Sequence, residues 1–265
     1  MLAHERLGYS LLAFVILMAF SLLLSSSPIP QPVEYHRFAD TRGWLFIPNA
    51  LNVISNLPFV IIGALGLKLL PTRQTHSIEL EDSLMAYRLL WLGTFLLGFG
   101  SAYYHLSPDN DTLVWDRLPI ALSLMALNSI VIGEFLSDKW GRKLLLPLVL
   151  FGLFATAYWW WTERQEAGDV RLYLLSQFIP MLAIPVLLLC FKTQHKNTLA
   201  YLLLLLVYSL AKLAEHFDHE IFAFTGIISG HTLKHLFAAA GLYILLRAQT
   251  QMFAMHKNPS LPIRE

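Results

Sequence analysis

Long apolar runs recur along this chain, and no other feature restricts its fold so tightly. A membrane-crossing helix needs about 20 mostly apolar residues. Eight runs meet that need: residues 7–24, 49–70, 84–106, 113–135, 143–161, 170–191, 198–216 and 228–248. In lipid each backbone N–H and C=O must be satisfied within the segment, so each run predicts a helix. The connections are short and carry turn formers or charge, as in Pro71-Thr72-Arg73, Ser107-Pro108-Asp109-Asn110-Asp111-Thr112 and Asp138-Lys139-Trp140-Gly141-Arg142-Lys143. Short links make successive helices antiparallel. The expected fold is therefore an all-α integral membrane protein, an up-and-down helical bundle, with no strand pattern, internal repeat or low-complexity tract.

Composition agrees. Of 265 residues, 56% are hydrophobic and 14% charged, against about 25% charged in a soluble domain. That excludes a soluble globular enzyme and a disordered chain. The net charge of +1 leaves no basic excess for nucleic-acid phosphates. A single cysteine, Cys190, rules out an intramolecular disulfide and any cysteine-based zinc cluster.

Residues 1–27 read as an N-terminal anchor helix or a signal peptide. Arg6 precedes the apolar run and Ser25-Ser26-Ser27-Pro28 follows it, as a cleavage site would. The run is long for a signal peptide, which favours the anchor. With the N-terminus in the cytoplasm, the inner ends and loops hold 12 of the 19 Lys and Arg residues, including Arg73, Arg88, Lys139, Arg142, Lys143, Lys192, Lys196 and Arg264. Cytoplasmic loops carry such an excess. Residues 28–48 are then extracytoplasmic, and residues 251–265 form a cytoplasmic tail.

Ionisable residues inside spans are costly and mark functional sites. Here they converge. The third span ends Ser101-Ala102-Tyr103-Tyr104-His105, and the fourth opens Trp115-Asp116-Arg117. The tight link puts His105 and Asp116 at nearly one depth, and Ser101 shares a helix face with His105. The last span opens Gly230-His231-Thr232-Leu233-Lys234-His235. Two histidines four apart on a helix can hold one zinc. Three histidines with an open fourth position make a catalytic zinc arrangement, beside which Asp116 could take a proton from water and Ser101 could donate to an oxyanion. His219, in Glu215-His216-Phe217-Asp218-His219, could replace one of the three; otherwise its stretch is a solvated loop whose carboxylates orient the histidines.

This pattern, Ser-x-x-x-His, then Asp on the next helix, then His-x-x-x-His on the last, resembles the alkaline ceramidases and their superfamily of seven-span hydrolases, which includes the adiponectin-receptor-like proteins. The tract Asn52-Val53-Ile54-Ser55-Asn56-Leu57 resembles the Asn-Thr-x-Ser-Asn tract of the ceramidase branch, which the receptor-like branch lacks. The resemblance covers roughly residues 40–248. It implies a seven-transmembrane hydrolase domain, residues 49–250, with the first span as an addition. It also implies a zinc ion held by His105, His231 and His235, water activated by Asp116, an oxyanion steadied by Ser101, and a membrane lipid as partner. The substrate would be an N-acyl sphingoid base cleaved to fatty acid and free amine near the extracytoplasmic face.

One departure stands out. The family carries a calcium site just before its first core helix. Here Asn49 stands at one acidic position, Asp40 matches another ligand, and Tyr35 and Phe38 fall where acidic ligands are expected. Asp40, Asn49 and Asn52, with carbonyls and water, could hold a weak second cation; otherwise Asp40 caps the chain or pairs with Arg42. Among other polar residues, Lys212 is placed to neutralise Glu215, Lys234 to reach lipid headgroups, Trp159-Trp160-Trp161 to form an interfacial belt, and Glu134 and Asn128 to bond between helices. Two competing functions are a receptor on the same scaffold and a metal or proton transporter. The apolar stretch Leu236 to Leu242 offers a transporter no relay, and the short inner loops give a receptor little signalling surface.

Overall fold

A computed structural model describes residues 3–71, 78–191 and 198–257. Thr72, Arg73, Lys192, Lys196, Arg264 and the end of the expected tail lie outside the described residues. The described chain forms α1 (Ala3–Ser25), α2 (Ala50–Ile54), α3 (Leu57–Leu69), α4 (Ile78–Leu106), α5 (Asn110–Phe135), α6 (Asp138–Arg164), α7 (Arg171–Cys190), α8 (Thr198–His216), α9 (Asp218–Thr225) and α10 (Gly230–Lys257). The only β pairing among the described residues is an isolated bridge between Trp44 and Ile47.

The protein is an all-α multi-pass membrane protein. Six single helices, α1 and α4 to α8, and the α2–α3 unit are long and apolar enough to cross a bilayer. α10 has the length, 28 residues or about 42 Å of helix, but its first turns carry the polar residues of the site. Chain neighbours pack together: α3 on α4, α4 on α5, α5 on α6, and α8 on α10, with α10 also reaching α3. α1 stands apart from that core against α7. The two pack tightly at Gly8, where an added Cβ would lie 2.6 Å from Cys190 Cβ. Arg171 at the start of α7 donates to the carbonyls of Leu23 and Ser26 at the end of α1, where a cation also complements the helix dipole.

The run expected at 49–70 is broken. Pro58 has no N–H and its ring clashes with the carbonyl four residues back, so α2 stops at Ile54 and α3 starts at Leu57. The freed Asn52 carbonyl accepts from Ser55 Oγ at 3.1 Å and Asn56 Nδ2 at 2.7 Å. The Asn-rich tract thus repairs its own helix break. The link after α4 is shorter than expected, only residues 107–109, because Asp109 caps α5: Thr112 N–H donates to its carboxylate at 2.6 Å and Thr112 Oγ1 accepts from Asp109 N–H at 3.1 Å. A tight capped turn fixes α4 and α5 in register.

Most of the core, including Trp91, Met125, Val131, Phe135 and Leu187, fills the half of the bundle away from the histidines. There Tyr87 donates to Glu134 across α4 and α5 at 2.6 Å, as expected for Glu134; Oδ1 of Asn128 is buried without a partner. A smaller cluster of Phe38, Tyr104, Leu113, Val114, Trp159, Val170 and Tyr173 lies at the histidine end. Trp159 is therefore no belt residue. It is fully buried, with the Arg117 guanidinium stacked 4.0 Å above its ring, while Trp161 keeps the exposed position.

Candidate active site and metal centre

Three helices bring the polar residues together. α4 supplies Ser101 and His105, one turn apart; α5 supplies Asp116; α10 supplies His231 and His235, also one turn apart. All five are buried. Ser101 stands beside the Asp116 carboxylate. The contact is possible because Gly100 has no side chain: a Cβ there would stand 2.0 Å from the Trp115 carbonyl oxygen. α10 gains its own close approach at Gly230, where a Cβ would lie 2.0 Å from the Ala214 carbonyl oxygen of α8.

The three imidazoles form a near-equilateral triangle, with ring centroids 4.8, 5.0 and 4.8 Å apart. His105 Nε2 and His231 Nε2 are 3.3 Å apart. Two nitrogens held by one tetrahedral zinc at about 2.0–2.1 Å stand about 3.3–3.4 Å apart. One ligand atom from each histidine lies within 4.8 Å of the others, and among the described residues no other group of three or more His, Cys, Asp or Glu side chains has that geometry. The residues fit a single metal ion. His219, the alternative ligand, is exposed and outside the group.

Each α10 histidine is oriented by a partner. His235 Nδ1 meets Ser55 Oγ at 2.7 Å, which leaves Nε2 for the triad. The next polar side chain of that turn, Thr232, donates to Asn52 Oδ1 at 2.8 Å. His231 is placed through its backbone, whose N–H donates to Asp218 Oδ1 at 2.6 Å. His105 has no side-chain partner at Nδ1, which is buried. Its ring is held by contact, with Phe38 at a centroid distance of 4.7 Å.

Phe38 also lies 4.5 Å from His231, so residues 28–48 form the cover of the site. The segment is pinned along its length. Val170 N–H donates to Ile29 carbonyl at 2.8 Å, and Gln31 Oε1 accepts from Arg117 Nη2 at 2.6 Å. His36 bridges Tyr104 Oη (2.9 Å) and Asn110 Oδ1 (3.0 Å). Ala39 N–H donates to Asp218 Oδ2 at 2.8 Å. Burial lowers the pKa of His36 from 6.5, against the bond to Asn110, which raises it. The Arg42 guanidinium holds the Asp40 carboxyl below its ordinary value.

Lys234 departs from its expected place. It does not reach out to headgroups; its Nζ lies 2.5 Å from Glu215 Oε1, while Lys212 takes the other oxygen at 2.8 Å. α8 and α10 pack so closely that the lysine stem runs between them, and one carboxylate offsets the desolvation of two ammonium groups. The pairing of Lys212 with Glu215 is as the sequence suggests. Lys234 with Glu215 needed the crossing of two helices.

The second cation does not fit. Both Asp40 carboxylate oxygens are taken by Arg42, Nε at 2.8 Å and Nη2 at 2.8 Å. Asn49 Nδ2 donates to the His105 carbonyl at 2.8 Å. Asn52 spends Nδ2 on the Asp40 carbonyl and Oδ1 on Thr232. A calcium ion would need six to eight oxygens, and with the Asp40 and Asn52 side-chain oxygens engaged these three side chains leave only Asn49 Oδ1.

A buried three-histidine group that could hold a metal ion, at one end of a multi-pass helical bundle and beside a carboxylate and a hydroxyl, defines the class: a membrane-embedded protein with a candidate metal centre. The sequence model of the ceramidase family matches residues 45–262, and the chain belongs to that family. Membership implies a hydrolase acting on a lipid amide bond. No curated protein and no solved structure matches the chain.

Proposed function

We propose that this protein is a zinc-dependent hydrolase that cleaves an N-acyl sphingoid lipid to fatty acid and free amine at the extracytoplasmic side of the membrane. The reading rests on one observation above the others: three buried imidazoles with one ligand atom each within 4.8 Å of the others, two of them 3.3 Å apart as in a tetrahedral site. His105, His231 and His235 would hold the metal. A zinc ion there supplies Lewis acidity to the scissile carbonyl and to the attacking water.

The rest of the chemistry falls to the chain. Asp116 accepts the proton of the attacking water and returns it to the departing amine nitrogen. Ser101 has one hydroxyl proton, which in this reading it offers to the neighbouring Asp116 carboxylate while that group is charged. Once Asp116 is protonated that bond is no longer charge-assisted, and the hydroxyl turns to the developing oxyanion. Proton uptake and oxyanion support are thereby coupled in one pair of residues. Phe38 keeps bulk water from the histidines, and residues 28–48 and 49–250 act as cover and hydrolase domain. A lipid amide suits a site at the end of the bundle, because the scissile bond of such a lipid lies near the headgroup boundary. The cytoplasmic excess of Lys and Arg supports placing that end outside and the C-terminus inside.

The test is incubation of purified protein with a panel of N-acyl lipids and esters, with mass detection of fatty acid and amine. Release of equal fatty acid and sphingoid base, with about one zinc per chain, is expected. Full turnover by a folded, metal-free preparation would refute the mechanism, and cleavage of esters alone would refute the substrate class.

A further inference from the structure

Arg42 lies in the strap that covers the histidines, and its guanidinium is surrounded by oxygens. It forks onto Asp40 at Oδ1 and Oδ2, 2.8 Å each, and its Nη1 and Nη2 donate to the carbonyls of Gly226 (3.1 Å) and Ile227 (2.6 Å). The ring of Phe222 lies beneath it, 4.9 Å from Cζ to centroid. Gly226, with φ of 64°, ends α9 in the left-handed region, where unpaired carbonyls gather and the helix dipole favours a cation. Two carboxylate and two carbonyl oxygens from separate segments around one positive charge is what a bound cation would have.

The chain uses the same device again at a site with no suggestion of metal. In Asp169-x-Arg171 the Arg Nε and Nη2 fork onto the carboxylate at 2.7 and 2.8 Å, the Arg N–H donates to Oδ1 at 3.1 Å, and Nη1 donates to carbonyls at the end of α1. Asp40-x-Arg42 repeats each element, its own N–H donating to Oδ1 at 3.1 Å. The motif is a clamp: the carboxylate holds the fork planar, and the remaining donors catch the carbonyl end of a neighbouring helix. A planar guanidinium suits this task where an ammonium would not.

We propose that the Arg42 guanidinium is the permanent cation of the cover segment: fixed by Asp40 and by the carbonyl end of α9, it holds residues 37–49 over the histidine triad and takes the place of a divalent ion there. Asp40 and the carbonyls of Gly226 and Ile227 are then latch residues, and Arg42 acts on the site by position, through Ala39, Phe38 and Asn49.

Hydrogen exchange on the full chain in lipid nanodiscs tests this without reference to activity, so its outcome is separate from that of the proposed hydrolysis. The reporters are peptides holding the N–H groups of Ala39 and Ala50, which bond to Asp218 and to the Arg42 carbonyl. Calcium chloride is compared with magnesium chloride at equal ionic strength. In the native protein, protection should be the same in both salts. Arg42→Ala should exchange at least about tenfold faster at both reporters, as loss of charge-assisted hydrogen bonds allows, and added methylguanidinium should restore part of the protection. Arg171→Ala should leave the reporters unchanged. If Arg42→Ala does not fold, Arg42→Lys decides: it keeps the charge but not the fork, and should exchange faster than the native protein. Slower exchange of the native protein in calcium would overturn the proposal, as would native-like exchange in the folded Arg42 variants.

Discussion

The hydroxyl of Ser55 stands 2.7 Å from His235 Nδ1 across 180 positions of sequence. It belongs to the turn that Pro58 forces between α2 and α3, and the same turn frees the carbonyl to which Ser55 also bonds. A helix break thus becomes the fixture that sets the tautomer and ring angle of one histidine of the triad. Partners of this kind raise the basicity of a metal ligand and hold its orientation. Ser55→Ala should leave the fold intact and weaken metal binding by roughly 10–100-fold. Competition for zinc against a chelator of known affinity measures this directly. Unchanged affinity would show that the bond serves packing alone.

Asp116 carries the proton traffic in the proposed reaction while standing outside the three ligands. Asp116→Asn keeps shape and the contact to Ser101 but cannot accept a proton. Zinc content should stay near one per chain, while kcat falls by roughly 10²–10⁴, the usual contribution of a general base. Loss of zinc along with activity would instead make the carboxylate a ligand.

The helical content of the site was legible because it is local. Ser101 with His105, and His231 with His235, are four apart, and a helix puts such pairs on one face whatever surrounds it. The common depth of His105 and Asp116 followed from a short link, which the Asp109 cap made shorter still. What the sequence hid depends on how helices cross. Lys234 looked like a lysine bound for the headgroups because nothing near it in sequence shows that Glu215, on α8, lies 2.5 Å away. Trp159 looked like its two neighbours, yet only one tryptophan of the three faces Arg117. Phe38 read as a missing acidic ligand; its ring is instead the cover on His105 and His231. Arg42 was visible as a partner of Asp40, but its hold on Gly226 and Ile227 spans more than 180 positions, beyond the reach of any local pattern.

His36 gives the cover a defined response to pH. Its Nε2–H donates to Asn110 and its Nδ1 accepts from Tyr104, so the neutral ring satisfies both partners. Burial lowers its folded pKa below the ordinary 6.5. The unfolded chain therefore binds a proton first as pH falls, and stability present above about pH 6.5 is lost as the pH drops toward the folded value. Thermal midpoints in nanodiscs should fall between about pH 7.5 and 5.5, and the slope should flatten in His36→Gln. A slope unaffected by that change would place the titration elsewhere. Asp40 acts at a lower pH with the same sign: its folded pKa lies below 3.8, so its contribution persists above that value and is lost as pH falls through the folded one. Because the Arg42 side chain is half exposed, solvent screens that contribution and keeps it modest.

Gly100 carries the last prediction, because it separates damage to the fold from damage to the site. A methyl group at Gly100 would stand 2.0 Å from the Trp115 carbonyl oxygen and 2.8 Å from its carbon. Backbone cannot rotate aside as a flexible side chain would, so α4 and α5 must move apart. The first contact they would lose is the neighbouring one between Ser101 and Asp116. Overpacking of this kind costs roughly 1–3 kcal/mol, whereas a displacement of about 1 Å at reacting groups costs roughly 100-fold in rate. Gly133 is the matched control on α5: a Cβ there meets nothing closer than 3.9 Å, and alanine is the better helix former by about 1 kcal/mol. Gly100→Ala should lose far more activity than thermal stability, with the zinc of the triad retained, while Gly133→Ala keeps activity and gains slightly in melting temperature. Equal proportional losses of activity and folded protein in Gly100→Ala would mean that the glycine serves the bundle alone and that the Ser101–Asp116 contact survives without it.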